Sequence, residues 1–329
     1  MTRAVPAAAF LLTAGSLFAI QAAVARPMLL AERFVPGAGW VEAAALAIWA
    51  AVLARRMLDP RRSGRWRRRA WTLFSAVFFG QLVIGLAGVG ECLMTGDLHL
   101  PVPALIVAGP IWRGGEGLFM PILFLATVVL VGPAWCSHLC YLGAWDGFAA
   151  IGGVGRTGRR PFPAPRRRPF AQAGIAAAVV ATALVLRLGG APPALATGLA
   201  AAFGIGGVIV MIASSRRTRR MDHCTTWCPV GLVATLLGRA LSPWRMRLAP
   251  GCDGCGSCAV VCRYDALRPE HVRSGRPGPS CTLCGDCVRP CRGRFVEYRL
   301  PGLGPDASRA LFLVLVSSLH AIFLGVARI

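Results

Sequence analysis

Long apolar runs set the plan of this 329-residue chain. Seven stretches, roughly 5–25, 38–54, 71–89, 117–135, 170–188, 195–213 and 309–327, are rich in Ala, Leu, Val and Phe and hold no central cluster of charge. A hydrocarbon layer ~30 Å thick takes about 20 helical residues to cross. A backbone in lipid must satisfy its own hydrogen bonds, so each stretch reads as a transmembrane helix. The first run ends in Ala23-Val24-Ala25, which resembles a processing site. Only Arg3 precedes it and the run is long for a signal peptide, so it is expected to persist as a helix. The pattern divides the chain into a membrane helix domain at 1–220, a polar region at 221–306 and a C-terminal span at 307–329.

Composition agrees with that division. The chain is 55% hydrophobic with a mean hydropathy of +0.59, and 15% of its residues are charged, against about a quarter in soluble domains. The net charge of +22 comes entirely from Arg, for there is no Lys. These arginines gather beside the apolar runs, at Arg55–Arg69 (RRMLDPRRSGRWRRR), 141–170 and Ser214–Arg220. The intervening loops hold few, namely Arg26, Arg33 and Arg113. The alternation is the positive-inside pattern, which puts the N-terminus and 221–306 in the cytoplasm of a bacterial inner membrane and the C-terminus outside. No basic face interleaved with aromatics accompanies the charge, so the lipid membrane is the expected partner and nucleic acid is not.

Thirteen cysteines change the picture. Cys252-x2-Cys255-x2-Cys258-x3-Cys262 is followed by Cys281-x2-Cys284-x2-Cys287-x3-Cys291. Three thiolates at two-residue intervals cap three irons of one cubane, while the fourth is carried out of reach and serves the other cluster. One [4Fe-4S] cluster is therefore expected on Cys252, Cys255, Cys258 and Cys291. The second is expected on Cys281, Cys284, Cys287 and Cys262. Zinc also binds CxxC pairs, but it takes four ligands from two pairs and has no use for the third Cys or the x3-Cys ending. The polar region thus reads as a cytoplasmic two-[4Fe-4S] ferredoxin-like domain, and the whole chain as mostly α, a polytopic bundle of about seven spans carrying it. Arg263 and Arg292 stand where such motifs commonly have Pro. Their charge near a cluster tends to raise its potential.

Four further cysteines form two pairs. Cys136 and Cys140 close the fourth run, and Cys224 and Cys228, followed by Pro229, come after the sixth. Residues i and i+4 share a helix face, so each pair is expected to present two thiols to one site. Two helices would then offer four soft ligands suited to zinc, iron–sulfur or Cu(I), or a redox-active dithiol. Buried core thiols are the plainer alternative. His138 and His223 lie beside these thiols as ligands, tuning groups or ordinary hydrogen-bonded histidines. Intramembrane Gln81 and His320 are read as interhelical hydrogen-bonding groups, and Cys92 as a small buried residue. Asp97 and His99, in a loop whose apolar stretch 98–111 is too short to span, are candidate proton carriers. No nucleotide-binding motif is present.

These residues together resemble the NapH/MauN group of membrane polyferredoxins, through several apolar helices, two CxxxC pairs and a two-cluster ferredoxin segment over roughly 70–300. The sequence WCSHLCYLGAWDG at 135–147 resembles the MauN-like branch. Cys224, Cys228 and Pro229 fit that group's CxxxCP, whereas Tyr141 replaces Pro after the first pair. Wider relatives by this resemblance are the regulator NosR and a cytochrome-oxidase assembly protein with copper-reductase activity. The resemblance implies electron transfer between the quinone pool and a redox protein partner. It also allows a maturation role in which the CxxxC thiols reduce a metal or thiols during biogenesis of another enzyme.

Overall fold

The computed structural model describes residues 3–25, 27–93, 100–115, 117–152 and 167–326. Asp97 and His99 lie outside the described residues. The elements in order are α1 (Ala4–Ala23), α2 (Leu30–Phe34), α3 (Ala38–Leu58), α4 (Pro60–Leu86), α5 (Leu105–Trp112), α6 (Phe119–Val131), α7 (Trp135–His138), α8 (Tyr141–Ile151), α9 (Arg168–Leu188), α10 (Pro193–Val210), α11 (Arg216–Thr218) and α12 (Pro229–Ala240). They continue with β1 (Arg245–Leu248), α13 (Ser257–Val261), α14 (Pro269–Arg273), β2 (Val296–Arg299) and α15 (Pro305–Val326).

Among the described residues six helical segments are long and apolar enough to cross a membrane: Ala4–Ala23, Pro60–Leu86, Phe119–His138, Arg168–Leu188, Pro193–Thr218 and Pro305–Val326. The expected span at 38–54 falls on the 21-residue α3, which stands outside that set. It packs between α1 and α15. The basic stretch 55–69 is helical at all but one position. Asp59 accepts the N–H of Arg61 and Pro60 opens α4, an N-cap and N1 pair that restarts a helix at once. Arginine is a good helix former, so charge alone did not mark a loop.

His320 ties three helices together. Its Nε2 lies 2.8 Å from the Ala70 carbonyl, and the Trp49 indole N–H reaches its Nδ1 at 3.4 Å. Cys92 is buried in a short 3-10 turn.

Between α12 and α15 the chain is mostly loops around one two-stranded antiparallel sheet. β1 pairs with β2 in the register Met246 to Tyr298 and Leu248 to Val296. Those four side chains face inward onto the buried Phe312 and Val316 of α15 and onto Val131 and Ala134. The Tyr298 ring packs 4.6 Å from that of Phe312. The cysteine loops therefore share a hydrophobic core with the ends of the membrane helices. Arg309, near the start of α15, donates to the carbonyls of Met57 and Leu58 at the end of α3, so both helix ends meet on the cysteine-loop side.

Candidate iron–sulfur centres

The two cysteine loops of 252–294 are conformational copies of one another. Gly254 and Gly256 have φ of +69° and +72°, and Leu283 and Gly285 at the matching places have +55° and +74°. Asp265 and Arg294, each three residues past the fourth Cys of its run, have +54° and +55°. The Ala266 N–H donates to Cys262 Sγ at 3.3 Å, and the Phe295 N–H to Cys291 Sγ at 3.2 Å. Repeated left-handed residues turn each short loop tightly enough to aim three side chains inward. An N–H aimed at sulfur stabilises the thiolate form.

The loops exchange their last cysteines. Cys262 lines one small cavity together with Cys281, Cys284 and Cys287. These four thiols lie close enough to feel one another's charge. Cys258 has the same relation to Cys252 and Cys291, and Cys255 in the same loop is exposed. Burial pushes the thiols of Cys262, Cys281 and Cys284 up to about 12. A thiolate in such a place needs a cation, which iron supplies. Among the described residues no three His, Cys, Asp or Glu side chains converge as a single ion requires, with each sulfur ~2.3 Å from one centre. All thirteen cysteines are free thiols. Thiol-only donor sets suit iron–sulfur clusters.

A third cage lies at the ends of the membrane helices. Cys136 is electrostatically close to Cys140 and Cys228, and Cys224 to Cys228, Cys140 and Cys136. The structure thus brings the two pairs to one place, but not through a shared helix face. Each helix breaks within its pair. Cys140 and Cys228 take the same extended conformation, with φ, ψ of −75°, 113° and −77°, 115°. Each is then the N-cap of a new helix, α8 or α12. Cys140 Sγ accepts from the Gly143 N–H at 3.4 Å, and the N–H groups of Val230 and Gly231 at the start of α12 favour the charged form of Cys228. A helix N-terminus lowers the cost of a negative sulfur, yet burial still pushes Cys140 up to about 12 and Cys228 to about 11. Tyr141 holds the place of Pro229 without altering this geometry, because either residue can open a helix.

The shared motif is longer than the two cysteines. A Cβ on Gly143 would come 2.8 Å from the Cys136 carbonyl oxygen, and one on Gly231 would come 2.6 Å from that of Cys224. C-x3-C-x2-G, present twice, was the signal that the spacing of cysteines alone did not use. Glycine lets the new helix start directly against the old one. Gly143→Ala and Gly231→Ala are each expected to spread the cage, with a cost of about 1–3 kcal/mol from overpacking. The check is thermal stability together with iron content. Loss of the membrane-edge centre with the other two clusters retained is the expected outcome.

Neighbouring helices hold this cage in place. The Trp71 indole N–H donates to the Cys140 carbonyl at 2.7 Å. Gln172 Nε2 donates to the carbonyls of Cys224 and Cys228 at 3.0 and 2.8 Å. The fully buried Asp146 accepts the Cys224 N–H at 2.9 Å, and desolvation pushes its carboxyl up to about 6. His138 bonds to neither pair. Its Nδ1 lies 3.2 Å from the Ala134 carbonyl and its ring stands edge-on to Phe312. The His223 ring packs on Gly207 of α10.

A family model described as a 4Fe-4S binding domain matches residues 114–156. The match supports an iron–sulfur protein. The matched stretch contains Cys136 and Cys140 and none of the cysteines at 252–291, so the match falls on the membrane-edge cage. No curated protein and no solved structure matches the chain.

The membrane-edge cage touches the cysteine loops directly. The Tyr264 hydroxyl lies 3.4 Å from the Cys136 carbonyl oxygen, and its ring is within electrostatic reach of both Cys224 and Cys284. Ser137 Oγ donates to the Thr282 carbonyl at 2.9 Å. Buried Arg67 of α4 donates to the Ser137 carbonyl and pairs with Asp286, each at 2.8 Å. Arg168 pairs with Asp222 at 2.8 Å and lies 3.6 Å from Asp265, which Arg220 and Arg268 also contact. These pairs are buried or half-buried, a setting where removing one partner costs far more than a surface pair is worth. Asp265 and Asp286 lie within the cysteine loops, so the ion pairs fix the distance between the membrane-edge cage and its neighbour.

Proposed function

We propose that this chain conducts electrons between the quinone pool and a redox protein partner through three iron–sulfur centres in series. The observation that carries the reading is the row of thiol cages with Tyr264 between the first two. The membrane-edge cage comprises Cys136, Cys140, Cys224 and Cys228. The middle one comprises Cys262, Cys281, Cys284 and Cys287. The outer one comprises Cys252, Cys255, Cys258 and Cys291, with Cys255 exposed where a soluble partner can approach.

Each centre, when loaded, takes up and releases one electron at a time. The protein's own part is spacing and environment. Arg67 and Arg168 hold the loops against the membrane helices, the N-termini of α8 and α12 stabilise sulfur charge, and Tyr264 fills the gap that solvent would otherwise occupy. In this reading the arginine-rich ends and residues 221–306 face the cytoplasm of a bacterial inner membrane.

The test is EPR of anaerobically purified protein, with and without a short-chain quinol. Quinol is expected to yield reduced cubane signals. Clusters that dithionite reduces and quinol does not would remove the quinone link and favour the maturation role.

A further inference from the structure

The charges of the cysteine loops are sorted by side. Asp265 and Asp286 turn inward, where Arg67, Arg168, Arg220 and Arg268 hold them. The exposed charges of 250–295 are then Arg273, Arg276, Arg289, Arg292 and Arg294 against two carboxylates, Asp253 and Glu270. Among the described residues none of these five arginines pairs with a carboxylate. Asp253 has a task of its own, since its Oδ1 accepts the Cys255 N–H at 3.2 Å. The solvent face of the loops is therefore net positive. Positive charge beside a span is ordinary in a membrane protein. Arg273 and Arg276 lie in mid-loop, far along the chain from the flanking spans Pro193–Thr218 and Pro305–Val326, so that rule does not account for them.

Three of these arginines border the outer cage. Arg273 lines an open concavity of about 650 Å³ together with Cys252, Gly254 and Gly256. Arg292 follows Cys291, and the Arg294 N–H donates to the Cys291 carbonyl at 3.2 Å. The neighbouring Phe295 ring lies against Gly251, which lines the same concavity. Between these arginines Cys255 is exposed, and Val260, 72% exposed, is an uncovered apolar side chain shortly after Cys258. Protein interfaces set an apolar centre within a polar rim, and this face has both. A cubane on four thiolates is anionic and alone would repel a partner of the same sign. Arginines around it reverse that, and opposite charges steer encounter and fix the docked orientation.

We propose that the outer-cage face docks an acidic one-electron carrier protein, one whose exposed cofactor edge is ringed by carboxylates. This rests on the electron-transfer reading above and names the chemistry of the redox partner. One electron passes between the outer centre and the carrier's cofactor. One is oxidised as the other is reduced, with no bond made or broken and no proton moved.

The experiment uses the full-length, cluster-loaded protein in phosphatidylcholine nanodiscs, with binding read by surface plasmon resonance. The probes are the soluble acidic domain of cytochrome b5 and the basic cytochrome c. The acidic domain is expected to bind the better of the two, with affinity that falls steeply as salt rises. Arg273→Glu and Arg292→Glu are each expected to weaken it about 3- to 10-fold, and to slow its reduction by the dithionite-reduced protein by a similar factor. Adding Arg294→Glu to both is expected to make cytochrome c the better ligand. Arg61→Glu, on an exposed residue of α4, changes the net charge equally and is expected to leave binding within about 2-fold. Iron content and dithionite-reduced EPR signals, unchanged in every variant, show that the protein is folded. No preference for the acidic domain, or loop variants no weaker than Arg61→Glu, overturns the docking face. Label on 270–295 from a photoreactive phosphatidylglycerol in the disc, with no docking of the acidic domain, assigns the arginines to lipid and also overturns it. If quinol still reduces the wild-type clusters in either case, the face falls and the electron-transfer reading stands. If the acidic domain docks and quinol reduces no cluster, the quinone link falls and the face stands.

Discussion

Cys262→Ser will damage the cluster whose other ligands are Cys281, Cys284 and Cys287, and will spare the one in its own loop. Sequence proximity predicts the opposite, since Cys262 follows Cys252, Cys255 and Cys258 in a single run. The fold favours crossed ligation, because Cys262 lines the same cavity as the three cysteines of the second loop. The Ala266 N–H that now bonds its sulfur will meet a smaller, harder oxygen, a poorer ligand for iron. EPR spectra will lose the signal of that middle cluster, and the outer cluster will keep its signal and its potential. Equal loss of both signals would mean that the two loops fold as one unit around their clusters. Loss of the outer cluster alone would mean that ligation is local.

The second large effect concerns the membrane edge. Cys136→Ser and Cys224→Ser are each expected to stop reduction by quinol almost completely while both ferredoxin-type signals remain reducible by dithionite. Both cysteines supply the same cage from different parts of the chain, about ninety positions apart, so the two variants will share one phenotype. Their double variant will be no worse than either single, as is usual for residues that act as a unit. Loss of the dithionite-reducible signals as well would give these thiols a structural role, a reading that Ser137 and Tyr264 make worth testing because they join this cage to the cysteine loops.

Much of this architecture is legible in the sequence, for physical reasons that differ from element to element. The apolar runs give the helices because lipid leaves the backbone no alternative, and helical segments lie at each of the seven expected stretches. The cysteine spacings imply crossed donor sets because cubane geometry restricts loop length, and Cys262 does line a cavity with Cys281, Cys284 and Cys287. Periodicity misleads at the CxxxC pairs, where i, i+4 spacing implies a continuous helix. Gly143 and Gly231 allow a break and a fresh N-terminus in its place. Charge misleads at 55–69, where Asp59 and Pro60 recast a loop as two helices meeting end to end.

Other parts have no local signature. Asp265 and Asp286 look like solvated loop carboxylates until Arg168 and Arg67, dozens to hundreds of positions away, arrive beside them. Tyr264 is one residue among many until the fold sets it between Cys136 and Cys284. Asp146 and Gln172 likewise gain meaning only from the backbone groups of Cys224 and Cys228 that they bind.

Iron and acid-labile sulfide in anaerobically purified protein measure the number of centres most directly. Three cages of four thiols predict about twelve iron and twelve sulfide per chain, falling to about eight of each in Cys136→Ser and Cys224→Ser. About eight of each in the wild type, unchanged by either substitution, or zinc in place of the iron, would contradict a chain of three iron–sulfur centres.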